Sequence, residues 1–142
     1  LVMVGEGQGG VSALNNIQAH GLNSRVIMRP PTSEIEQYYR SCDIFIMSST
    51  YEPFGQTTIE AIASGLRVAA FHGTSGVKTA VHELGLDDAI TYAMELSGEA
   101  LAKAIIKSLE KTTIAKCLQA SFVARSSYDW DQLFESLLEP ER

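Results

Sequence analysis

Apolar residues along this chain follow two spacings in alternation. Short unbroken runs read as strands covered on both faces: Leu1-Val2-Met3-Val4, Val26-Ile27-Met28, Ile44-Phe45-Ile46-Met47, Val68-Ala69-Ala70-Phe71 and Ala89-Ile90-Thr91-Tyr92. Between them, apolar positions recur every three or four residues, as on one side of a helix. Residues 11–20 put Val11, Leu14 and Ile17 inward, with Ala13 beside them, and Gly21 as the stop. Thr32 or Ser33 can cap a helix over 34–41, whose inner face is Ile35, Tyr38 and Tyr39. A short helix runs from Thr57 to a stop at Gly65, and another spans 77–84. Ser97 caps a helix to about Leu109, with Leu101, Ile105 and Leu109 inward. Thr112 or Thr113 opens one to about Arg125, and Asp129-Trp130 a last one through Leu133, Phe134, Leu137 and Leu138, with Trp130 as a packing anchor.

Strand–helix alternation with apolar strands predicts an α/β fold: a Rossmann-like, doubly wound parallel sheet followed by C-terminal helices. Such sheets bind ligands beyond the C-terminal ends of their strands. The loops at 5–10, 29–32, 48–55 and 72–76 all lie there.

Residues 48–65 carry the most chemistry. An apolar strand meets the turn Glu52-Pro53-Phe54-Gly55 and then a helix. A strand that bends sharply into a helix exposes the first helical N–H groups, and these and the helix dipole make an anion site. Pro53 fixes the turn, and Gly55 allows close approach to the backbone. Glu60 stands among small and apolar residues: Ile59, Ala61, Ile62, Ala63 and Ser64. A buried carboxylate needs donors, and a pair of sugar hydroxyls would serve. Alternatively Glu60 lies at the helix edge, solvated or paired with an arginine.

The run from Glu52-Pro53-Phe54-Gly55 through Glu60-Ala61-Ile62-Ala63-Ser64-Gly65 resembles the E-x7-E motif of retaining glycosyltransferases of GT-B fold, the group 1 or family 4 type. The approach through Tyr39 and Cys42-Asp43-Ile44-Phe45-Ile46-Met47-Ser48-Ser49 matches, as does the exit Gly65-Leu66-Arg67-Val68-Ala69-Ala70. The resemblance implies that residues 1–142 are the donor-binding, C-terminal half of such an enzyme, without its first strand–helix unit and its N-terminal acceptor domain. The chain also opens inside a strand-like run with no Met, and reads as a piece of a longer protein. In the family, the first acid of the motif meets the donor sugar and the second the ribose. Glu52 is therefore the expected catalytic-site acid and Glu60 the ribose acceptor. Phe54, Gly55, Gln56, Thr57 and Thr58 are expected to line the diphosphate through backbone amides, aided by the Thr57 and Thr58 hydroxyls, with Pro53, which has no N–H, fixing the turn of the same donor site. Gly7 sits in a loop beside the donor. Arg29 covers the base, meets a phosphate, or is a solvated surface residue. The implied donor is a UDP-, GDP- or ADP-sugar, with no cofactor and no metal. The implied acceptor is a glycan or a lipid-linked sugar in polysaccharide or lipopolysaccharide synthesis, reached through the absent domain. The implied location is cytoplasmic, with room for peripheral association of the parent with the inner membrane face. The chain alone is expected to bind nucleotide weakly and to transfer nothing.

The chain departs from the family pattern in three places. The family's Gly-Gly pair is Ser75-Gly76 here, its following acid falls at Thr79, and its usual Pro is Arg67. These leave a non-catalytic nucleotide-sugar sensor open. A GT-B epimerase is disfavoured by the Glu52-Pro53-Phe54-Gly55 sequence. A different reading rests on Gly5, Gly7 and Gly10, which satisfy G-x-G-x-x-G between a strand and a helix. Arg29, where an NAD site wants an acid, would fit only NADP of an oxidoreductase.

Composition narrows the partners. A net charge of −6 without a Lys/Arg cluster argues against nucleic acid. Two cysteines, Cys42 and Cys117, make no disulfide framework and have no metal-ligand spacing.

Overall fold

The computed structural model describes residues 1–7 and 9–127. The predicted helix at 129–138, with Trp130, lies outside them. The chain divides into two compact units, Leu1–Ile35 and Glu36–Arg142.

In the first unit, strand β1 (Val2–Val4) leads through helix α1 (Gly9–Ala19) to strand β2 (Ile27–Arg29). The strands are parallel, with Val2 opposite Ile27, Met3 opposite Met28 and Val4 opposite Arg29. β2 therefore sits one residue later than the apolar run suggested, and Arg29 is its last residue. Helix α1 closes as expected at Gly21, where the Leu22 N–H donates to the Ile17 carbonyl at 2.9 Å. Its inward face differs from expectation: Ile17 is buried, but Val11 is 70% and Leu14 47% exposed. Two three-residue strands offer too little surface to cover more than one turn of helix.

The second unit opens with helix α2 (Ile35–Ser41), which starts in the first, and strand β3 (Ile44–Met47). There follow α3 (Gln56–Ala63), β4 (Arg67–Phe71), α4 (Val77–Glu83), a 3₁₀ turn (Asp87–Ala89), β5 (Ile90–Ala93), α5 (Gly98–Lys111) and α6 (Ile114–Ser127). The sheet order is β3-β4-β5, all parallel. β4 is central, so Val68, Ala69 and Ala70 are almost wholly buried. Ala69 and Phe71 pack with Ala93, Leu101 and Ala104, and Ile44, Ile46 and Ile105 border that cluster. Strand alternation points Val68 and Ala70 to the opposite face.

Helix α5 is capped by Ser97, whose Oγ accepts from the Ala100 N–H at 3.1 Å. Its buried face is Leu101, Ala104 and Ser108, whereas Leu109 is 45% exposed. Residue 109 is rotated by about 100° from 108, off the stripe that meets the sheet. Arg67, in the family's Pro position, donates from Nε to the Thr112 carbonyl at 2.8 Å and ties the start of β4 to the end of α5. Helix α6 presents Cys117, Ala120 and Ala124 inward. From it Ser121 Oγ and Arg125 Nε both donate to the Ala63 carbonyl, at 2.5 and 2.7 Å. A guanidinium at the C-terminal end of α3 also complements the helix dipole.

Candidate functional site

The turn between β3 and α3 is built by a second loop. The Glu52 N–H donates to the Thr74 carbonyl at 2.8 Å, and the Gly76 N–H to the Glu52 carbonyl at 3.3 Å. This isolated parallel bridge between Glu52 and Ser75 fastens the loop after β3 to the loop after β4. Two glycines make the approach feasible. A Cβ on Gly76 would collide with the Pro53 carbonyl oxygen. Gly55 is left-handed at φ 81°, and a Cβ there would lie 2.6 Å from Ser75 Oγ and 2.7 Å from Val77 Cβ. Ser75 Oγ meanwhile accepts from the Val77 N–H at 3.1 Å and starts α4.

The amides of this turn divide into two groups. Phe54 and Gly55 donate to Oε1 of Glu52, at 3.4 and 3.2 Å. The sequence resemblance assigns both to a diphosphate. A carboxylate two and three residues upstream in a tight turn reaches them first. No side chain caps α3. The Thr58 N–H donates to the Gly55 carbonyl at 2.9 Å, while the amides of Gln56 and Thr57 have no hydrogen-bond partner among the described residues. These two are orphan donors at the positive end of the helix. Thr58 departs further from expectation. Its side chain is fully buried, and Oγ1 has no partner among the described residues. It lies three and four residues from Ala61 and Ile62, on the face packed into the unit, so its hydroxyl does not face solvent.

Glu60 lies on another face, four residues from Gln56 and three from Thr57. Side chains on a helix lean as a rule toward its N-terminus, the end of α3 that bears the orphan amides. Glu60 is half-buried and has a partner that sequence spacing did not reveal: Tyr39 of α2 donates from its hydroxyl to Oε2 at 3.3 Å. Among the described residues no arginine pairs with Glu60, and the carboxylate is not fully solvated. The Tyr39 ring is 6% exposed and stands edge-on to Phe45, with centroids 5.9 Å apart. Burial, then the Glu60 charge and hydrogen bond, push its phenol up to about 12. The helical periodicity had placed Tyr39 inward, but a contact 21 residues away on another helix leaves no local signal.

Around this turn, Tyr51 and Phe54 are exposed, at 81% and 48%, and Pro53, Gln56 and Thr57 are exposed as well. Gly7 and Arg29 belong to the first unit. The Gly5 N–H donates to the Arg29 carbonyl at 3.0 Å, so both lie at the C-terminal end of the β1–β2 ladder, and both are exposed. The glycines of the G-x-G-x-x-G pattern do not enforce close packing there: a Cβ on Gly5, Gly7 or Gly10 would meet nothing within 4 Å. That removes one physical reason for a dinucleotide fingerprint, the close fit of helix to strand. A groove of about 300 Å³ at the end of β5, lined by Tyr92, Ser97, Lys103 and Lys107 among others, contains none of the predicted residues. Among the described residues no group of three or more His, Cys, Asp and Glu is placed to hold a metal ion, and no helix is long and apolar enough to cross a membrane.

Known proteins resemble this chain in sequence and in fold. Over 41 residues, 28% of this chain and 9% of the other, the chain is 51% identical to mannosylfructose-phosphate synthase of Agrobacterium fabrum. Over 81 residues, 57% of this chain and 23% of the other, it is 33% identical to an uncharacterized glycosyltransferase of Haemophilus influenzae. The chain thus spans less than a quarter of the length of these relatives. Among solved structures, Anabaena HepE in complex with UDP superposes with a TM-score of 0.68 at 27% identity, over 96% of this chain and 40% of that one. The family model described as glycosyl transferases group 1 matches residues 1–122, and the chain belongs to that family.

Proposed function

We propose that this chain is the donor-binding half of a retaining hexosyltransferase, and that the turn between β3 and α3 takes the nucleoside diphosphate of a UDP-, GDP- or ADP-sugar. The observation that carries the reading is the two orphan amides, Gln56 and Thr57, at the positive end of a helix that bears Glu60 one turn further along. The diphosphate leaving group gains negative charge as the sugar departs, and fixed N–H donors favour that change. Glu60 accepts from the ribose hydroxyls. Glu52, anchored by Oε1 to its own turn, turns its remaining oxygen to the hydroxyls of the donor sugar. Pro53 and Phe54 shape the turn, and Gly55 gives it its left-handed bend. The acceptor, a glycan or lipid-linked sugar of polysaccharide or lipopolysaccharide synthesis, is held by a domain outside this chain. No metal or other cofactor takes part. The full protein works in the cytoplasm, at the inner face of the membrane when its acceptor is lipid-linked. The UDP bound by HepE and the glycosyltransferase relatives support this reading.

Calorimetric titration with UDP, GDP, ADP and NADP tests it. One nucleoside diphosphate should bind more tightly than NADP, with affinity falling about tenfold or more in Glu60→Ala, as loss of hydrogen bonds to a charged group implies. Tightest binding to NADP, indifferent to Glu60, would instead make the glycine loop after β1 the site. The 142-residue chain alone should transfer no sugar.

A further inference from the structure

A carboxylate that must accept two neighbouring hydroxyls has to be held in one rotamer. A glutamate side chain has three rotatable bonds, and fixing it from a half-exposed helix face opposes binding by about 1–2 kcal/mol. Pre-ordering in the empty protein removes that opposition. In this chain the ordering group is visible. Tyr39 Oη donates to one oxygen only, Oε2, at 3.3 Å. A carboxylate has about four lone-pair sites, so Oε1 and the second site on Oε2 remain open for a diol. The donor is itself fixed: Tyr39 is 6% exposed, braced edge-on by Phe45, and mounted on α2, a helix separate from the one that bears Glu60. The hydroxyl finds no other acceptor among the described residues, so the pair is exclusive on the tyrosine side. The phenol also remains protonated through the neutral range, so it can only donate to the carboxylate there.

We propose that Tyr39 is a positioning residue for nucleotide recognition: its phenol holds the Glu60 carboxylate in the orientation that accepts the ribose hydroxyls, without itself touching the ligand. This rests on the reading of Glu60 as the ribose acceptor. It assigns to Tyr39 an effect specific to the ribose, separate from the diphosphate.

The test compares the tightest-binding of UDP, GDP and ADP with its 2′,3′-dideoxy counterpart, by calorimetry, in the wild-type chain, Tyr39→Phe and Glu60→Gln. The wild type should prefer the ribonucleotide by about tenfold or more, and Glu60→Gln should abolish most of the preference. Tyr39→Phe keeps the ring against Phe45 and should reduce the preference by about threefold to tenfold, with dideoxynucleotide affinity unchanged within about twofold. If Phe at this position prevents folding, Tyr39→Met fills the same apolar site without a donor and takes its place. A wild type with no ribose preference, or no nucleotide binding, overturns the reading of Glu60 itself. A wild-type preference that survives intact in Tyr39→Phe overturns the positioning role alone. So does an equal loss for both nucleotides, which is the signature of a merely structural tyrosine.

Discussion

Replacing Gly55 with alanine tests the construction of the turn most sharply. Two separate penalties apply. At φ 81° an L-residue is held in the left-handed region, which costs roughly 1–2 kcal/mol. The added Cβ would also stand 2.6 Å from Ser75 Oγ and 2.7 Å from Val77 Cβ, and Val77 is 1% exposed and cannot swing aside. Overpacking of that kind costs about 1–3 kcal/mol. Together they predict a loss of about 2–5 kcal/mol, a large part of the 5–15 kcal/mol typical of a domain. At about 3–4 °C per kcal/mol for a chain of this size, the midpoint should fall by about 6–20 °C. Two companion variants separate the causes. Gly65 has φ 87° and open space around its Cβ position, so Gly65→Ala carries the backbone penalty alone. Gly76 lacks a positive φ, yet its Cβ would meet the Pro53 carbonyl, so Gly76→Ala carries the collision alone. Thermal melts followed by circular dichroism should place both Gly55→Ala and Gly76→Ala below Gly65→Ala in stability. Equal stability of Gly55→Ala and Gly65→Ala would refute the close contact between the two loops.

Thr58→Val replaces a buried hydroxyl that lacks a partner with a methyl group, and should stabilise the chain by about 1 kcal/mol while leaving nucleotide affinity unchanged; a melt and one titration check both. Tyr39 and Tyr92 both have phenols raised to about 12, chiefly by burial, so absorbance titration should show two phenols that ionise only near pH 12. Because the unfolded phenols ionise near 10, the stability they contribute is complete below that pH and is lost as pH rises through about 12, which denaturation midpoints across that window will report. With an aromatic disulfide reagent, exposed Cys42 should react quickly and Cys117 slowly, since Cys117 is 3% exposed and burial pushes its thiol up.

Much of the fold could be read from apolar spacing, because strands covered on both faces leave unbroken runs. β3, β4 and β5 fall within a residue or two of Ile44–Met47, Val68–Phe71 and the run 89–92. Gly65 ends α3 as its position implied, with the Leu66 N–H reaching back to the Ala61 carbonyl at 3.0 Å. What the spacing could not give was the pairing between elements distant in sequence. Nothing local announces that Tyr39 will meet Glu60, that Ser121 and Arg125 will both reach Ala63, or that the loop at 74–76 will bridge to Glu52. Apolar spacing does not mark the buried helix face where the partner surface is small, as at Val11 and Leu14, or where the buried stripe runs one position away, as at Leu109. Thr58 shows the same limit within the motif. A threonine at a helix start reads as a ligand contact or a core residue with equal ease, and only the packing of α3 decides.

On the proposed function, the opening amides of α3 receive a diphosphate. Amide chemical shifts of the ¹⁵N-labelled chain, followed during titration with UDP, GDP and ADP, test it residue by residue. The largest changes are expected at Gln56 and Thr57, whose N–H groups have no partner among the described residues, and smaller ones at Phe54 and Gly55, already bonded to Glu52. Undisturbed Gln56 and Thr57 resonances at a nucleotide concentration that shifts residues elsewhere would contradict it.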